Sequence, residues 1–175
     1  MRFVVTGEWS RNRLLQTIVL LYALYVAALW CTNAALYFEK MGLTPSSVVA
    51  YYRGDEASFR PPRSYQGLLE VSHFHLFAMG MLLLVLTHLA LFVPARPGQK
   101  AALVVVPFVA ALLDEGAGWL VRFAHPAFAW AKIAGFLLLQ ASLAALIAIS
   151  VWAVFRGDAA GYTGAAEEDE EPEPG

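Results

Sequence analysis

The chain has 175 residues, 59% of them hydrophobic and only 15% charged, with a mean hydropathy of +0.56. A soluble domain carries about 45–50% apolar and about 25% charged residues, so this composition is that of an integral membrane protein. One cysteine, Cys31, excludes an internal disulfide, a zinc ribbon and a cysteine-ligated iron–sulfur cluster. The net charge of -2 is unevenly placed: six of the fourteen acids fall in the last nine residues, and the remainder is net positive. No basic stripe stands out that would bind nucleic acid.

A membrane-crossing helix needs about 20 mostly apolar residues. Segments 14–37, 68–93, 101–121 and 128–155 meet that test and predict an all-α integral membrane protein, a four-transmembrane-helix bundle. The first runs well past the h-region of a signal peptide and is read as retained. Residues 1–13 form a cytoplasmic amino-terminal segment, 14–155 the membrane domain with a long outer loop at 38–67, and 156–175 an acidic tail that cannot bury a core and is expected to be disordered. In the loop, Pro45-Ser46-Ser47 before Val48-Val49-Ala50-Tyr51-Tyr52 predicts a short interfacial helix, which Pro61-Pro62 cannot continue.

Orientation follows Lys and Arg near helix ends. Arg2, Arg11, Arg13, Arg96, Lys100 and Arg156 stand against Lys40, Arg53, Arg60, Arg63 and Arg122. The denser first group places both termini in the cytoplasm and the 38–67 loop outside, in a membrane expected to be the bacterial inner membrane. The loop and the acidic tail are candidate contacts for other membrane or periplasmic subunits.

The second segment holds three of the four histidines: His73, His75 and His88. At 100° per residue, His88 lies about 60° round from His73 and roughly 22 Å along the axis. Glu70 and Gly80 share that face, with Gly80 midway between the imidazoles, while His75 points away. Ionisable groups inside a membrane are costly and normally mark a site. Two imidazoles on one face, separated by a glycine that lets a flat macrocycle approach, make this helix resemble the histidine helices of membrane b-type cytochromes, such as quinone-linked cytochrome b subunits. The resemblance covers about twenty residues and implies b-type haem. Such cytochromes supply a second histidine pair from another helix, and here only His125 remains. One haem could then join His73 or His75 to His125 or to a methionine, and a neighbouring subunit could supply further ligands. The alternative is that these histidines hydrogen-bond Ser, Thr or backbone groups on other helices.

The third segment carries Asp114-Glu115-Gly116-Ala117-Gly118-Trp119. These acids fall at the same depth as Glu70, His73, His75 and His125, so six ligands or proton carriers are expected near the outer edge. Lys132 is a natural ion partner for Asp114 or Glu115, and Gly116 and Gly118 read as helix-packing points. Glu70-x-x-His73 has the spacing that brings two side chains to one metal in four-helix carboxylate sites. With His88 these are the metal-ligand candidates; Asp114 and Glu115 are the proton-transfer candidates, and His73, His75, Gly80, His88 and His125 the cofactor candidates.

Three functions remain open at this point. One is an electron-transfer subunit of a respiratory-type complex, carrying haem b or lining a quinone site. The others are a non-haem metal oxidoreductase using the Glu, His and Asp cluster, and a structural subunit without chemistry. No nucleotide loop, Ser/His/Asp grouping, HExxH or CxxCH motif occurs.

Overall fold

The computed structural model describes residues 13–93 and 95–156. The expectations for the amino-terminal segment and the acidic tail fall almost wholly outside that range. Five α-helices follow one another: α1 (Arg13–Lys40), α2 (Pro45–Arg53), α3 (Tyr65–Ala90), α4 (Pro97–Phe123) and α5 (Ala129–Arg156), the last preceded by a 3-10 turn at Pro126–Phe128. Among the described residues there is no strand, and four helical stretches are long and apolar enough to cross a membrane. The fold is the expected four-span helical bundle.

The helices outrun the apolar segments because polar residues cap them. α4 starts at Pro97, whose missing N–H costs nothing in a first turn, and the Arg96 N–H donates to Gln99 Oε1 at 3.1 Å. It continues through Pro107 and through Asp114 and Glu115 to Phe123. α3 starts after Ser64, whose hydroxyl accepts from the Gly67 N–H at 3.0 Å. The predicted interfacial helix is α2, capped by Thr44 and opened by Pro45. It ends at Gly54, where φ is 88° and a Cβ would stand 2.8 Å from the Arg60 carbonyl oxygen, so glycine is required.

Two buried clusters divide the bundle. On the loop side Tyr37, Met41, Val48, Tyr52, Leu68, Val121, Ile133 and Phe136 pack together, with Tyr37 and Phe136 stacked at 3.7 Å between ring centroids. On the opposite side Val26, Leu83, Leu86, Ala90, Ala110, Leu139, Leu143 and Leu146 form a purely aliphatic cluster. α4 and α5 are the most extensively packed pair. Gly135 permits their approach: a Cβ there would lie 2.8 Å from the Asp114 backbone nitrogen. α1 lies along α5, and α3 lies against α4 and α5. On the side away from the loop α1 also reaches α3, where the Tyr22 hydroxyl donates to the Leu82 carbonyl at 3.3 Å. Towards the loop the two helices flank an open cleft.

α2 roofs the loop side of α4. Its Tyr52 ring sits over Gly118, where a Cβ would come within 2.7 Å of the phenol oxygen. Gly118 is therefore a packing point as expected, but for the interfacial helix; Gly116 has nothing within 4 Å of a Cβ. The loop beyond α2 is pinned at three places. Asp55 and Arg60 exchange backbone hydrogen bonds, the Arg63 guanidinium lies 4.2 Å over the Tyr51 ring, and Arg122 Nε donates to the Arg63 carbonyl at 2.8 Å. Arg122, in the last turn of α4, is thus tied to the loop.

Candidate functional site

Lys132 stands one turn into α5 and is buried at 7% exposure. A buried ammonium is stable only when paired and hydrogen-bonded. Its Nζ lies 2.7 Å from Asp114 Oδ1 and donates to the Asp114 carbonyl oxygen at 3.0 Å. Of the two acids the sequence offered, Asp114 is the ion partner. The Gly135 crossing brings the α4 backbone close enough for both bonds to form.

Glu115 is held from a different direction. Trp119 Nε1 donates to Ser72 Oγ at 2.7 Å, and the Ser72 hydroxyl in turn donates to Glu115 Oε1. Glu115 and Trp119 are four residues apart on α4, so this chain ties one face of α4 to α3. Ser72 is buried and was not singled out by the sequence reading. The available signal was its position on α3 beside the histidines, one residue from His73.

His75 also reaches this region. Its Nδ1 lies 3.1 Å from the Val71 carbonyl oxygen. A carbonyl can only accept, so in this bond the Nδ1–H is the donor.

Two cavities meet at these residues. The larger, about 660 Å³, opens on the loop side between α1 and α3 under the loop; Lys40, Arg60 and Arg63 lie at its rim and Lys132 and Trp119 deeper in. The smaller, about 220 Å³, is lined chiefly by apolar side chains such as Met79, Leu83, Phe108 and Leu139. Asn33, His75, Asp114 and Glu115 line both. This shared wall offers an amide, an imidazole and two carboxylates to whatever lies beside it. Tyr52 lines the larger cavity; burial, with Asp114 nearby, pushes its phenol well above the ordinary tyrosine range.

The remaining candidates lie elsewhere. Glu70 is exposed and accepts from Gln66 Nε2 at 3.0 Å. His73 and His88 are exposed and contact Phe74 and Phe92 edge-on. Gly80 shares the smaller cavity with His75, and a Cβ on it would meet nothing within 4 Å. His125 caps the 3-10 turn, its Nδ1 accepting from the Ala127 N–H at 3.1 Å. Of the six groups expected at one depth, the structure therefore gathers His75, Asp114 and Glu115, adds Lys132, Ser72 and Asn33, and leaves Glu70, His73 and His125 apart. Among the described residues no three His, Cys, Asp or Glu side chains come together as a metal-binding group. For haem, the His88 level presents a single exposed imidazole of this chain, and at the other level His73 and His75 are both exposed on different faces of α3.

A family model described as a transmembrane helical domain, Aq_1264_TM, matches residues 42–161. The chain belongs to this family. The matched stretch runs from the start of the loop through α2, α3, α4 and α5 and contains His75, Asp114, Glu115 and Lys132, whereas α1, with Asn33, lies before it. Neither the search of curated proteins nor that of solved structures found a match.

Proposed function

We propose that the protein is a small electron-transfer subunit of a respiratory-type complex in the bacterial inner membrane, with both termini cytoplasmic, and that its outer cleft binds a quinone. The observation that carries this reading is the wall of Asn33, His75, Asp114 and Glu115 shared by two cavities in an otherwise apolar bundle. A quinone ring needs hydrogen-bonding groups for its oxygens and a proton carrier close by, inside an apolar enclosure. Asn33 supplies an N–H donor for a quinone oxygen, and Glu115 and His75 supply the proton carrier. The Asp114–Lys132 pair is already neutralised and serves as a fixed part of the wall.

Titration of the purified complex with a decyl-chain quinone, followed by quenching of tryptophan fluorescence, tests this. Saturable binding is expected. Asn33→Leu should weaken it roughly tenfold, the size of one lost hydrogen bond, and His75→Gln, which removes an acceptor for a quinol hydroxyl, should weaken the quinol more than the quinone. Absence of saturable binding in the native complex overturns the quinone reading.

A haem reading is favoured by a separate observation. His73 and His88 are both exposed on α3, and a Cβ on Gly80, which lies between them and also lines the smaller cavity, would meet nothing within 4 Å. A haem there requires its second ligand from a partner subunit. A Soret band in the native complex that is lost in His73→Ala or His88→Ala, and kept in His75→Ala, is the expected signature; absence of any Soret band ends this reading.

A further inference from the structure

We infer that the ligand of the cleft reaches it sideways from the bilayer, through a slot between α1 and α3, and that it is a quinone whose long chain stays in that slot; this rests on the quinone reading above. The slot follows from how α1 is held. On the side away from the loop, α1 is fastened to α3 by the Tyr22–Leu82 hydrogen bond and by Val26 in the aliphatic cluster with Leu83 and Leu86. Towards the loop, both helices line the cleft instead: Asn33 and Leu36 from α1, and Val71 and His75 from α3. Leu36 is 54% exposed and Val71 48% exposed, so the flanks of the opening are apolar side chains turned outward, which suits a hydrocarbon chain.

The cleft is far more restricted above. The loop spans it, with Arg63 fixed over Tyr51 and its carbonyl held by Arg122, while Arg60 Nη1 reaches the Lys40 carbonyl at the end of α1 at 3.5 Å. These bonds set a charged roof over the water side, while the Tyr22–Leu82 hydrogen bond that joins α1 to α3 lies at the other end of the two helices, away from His75. A ring with a long chain thus has an apolar path at the depth of His75, and its ring ends against the polar wall.

The test uses the full chain in its complex, in liposomes, with Cys31→Ser to remove the native thiol. Leu36→Cys and Val71→Cys are then joined by a bismaleimide that spans the slot. Stopped-flow quenching is recorded with two probes, a decyl-chain quinone and a chainless, water-soluble benzoquinone. The expected result is that bridging slows association of the decyl quinone by at least about tenfold, as for a site that must rearrange before binding, and leaves the chainless probe unchanged. Val71→Trp, which narrows the slot without a cross-link, should reproduce the selective slowing. Unchanged association of the decyl quinone after bridging, or equal slowing of both probes, overturns the lateral route while leaving the quinone reading in place. No binding of either probe before bridging overturns both together.

Discussion

The loop-side half of the bundle and the half facing the other way are built from similar apolar helices but are held differently. Away from the loop, Val26, Leu83, Leu86, Leu139, Leu143 and Leu146 fill the space between the helices with aliphatic side chains. On the loop side the helices enclose Lys132, Asp114, Glu115, Ser72 and the larger cavity, and a short set of directed bonds is added to the packing of Tyr37, Tyr52 and Phe136. Lipid tails are as apolar as leucine, so van der Waals fit and hydrogen bonds, rather than exclusion from water, hold membrane helices together. One half relies on fit. The other adds polar bonds to its packing and keeps open space beside them.

The sharpest break of this comparison is Lys132→Met. It leaves Asp114 without its counter-charge in a buried site, and a loss of about 3–5 kcal/mol is expected in detergent unfolding. Adding Asp114→Asn should restore part of it, and strictly additive losses would show that the two residues act independently. Leu86→Ala probes the other half. Leu86 has no exposed surface, and its truncation should cost roughly 2–4 kcal/mol through the cavity it leaves. Quinone affinity should stay at the native value, since Leu86 lines neither cavity of the polar wall.

Gly135→Ala should cost less, about 1–3 kcal/mol, because a Cβ must push the α4 backbone away from α5. It should also loosen the Lys132 bonds, so its effect should shrink when Lys132 is already Met. The smallest expected effect concerns Tyr52. Its raised pKa means that the folded protein holds the phenol proton after the unfolded chain has released it. The stabilisation is complete below about pH 10 and declines as pH rises above it. Tyr52→Phe should flatten the alkaline limb of the stability profile, measured against the parent between pH 9 and 11.

The spans, the interfacial helix and the lysine–carboxylate pairing were legible because each depends on length, capping or depth, all of which a linear sequence carries. The facing of α3 was not. Helical spacing correctly separates His75 from His73 and His88, but it does not say which face meets protein. In this helix Phe74, Phe77 and Leu84 face out while Leu83 and Leu86 face in, so apolar residues occupy both sides. The buried face is set instead by Leu68, Ser72, Leu83, Leu86, Thr87 and Ala90. Ser72, Asn33 and Gly135 lay beyond sequence reasoning for a related reason. Each matters only through a neighbour on another helix, and such neighbours are known once the helices are assembled.

The lysine–aspartate pair also bears on how the protein enters the membrane. Asp114 and Lys132 are 18 residues apart, on either side of the turn that joins α4 to α5. The two helices can therefore form a hairpin whose charges neutralise each other before either span meets lipid. Inserted singly, α5 would carry the bare Lys132 ammonium and α4 both Asp114 and Glu115 towards hydrocarbon, where a charge costs about 2.5–3.5 kcal/mol at the helix centre. Inserted as a hairpin they carry Asp114 and Lys132 as a neutral pair, which makes α4 and α5 a unit of biogenesis as well as of packing.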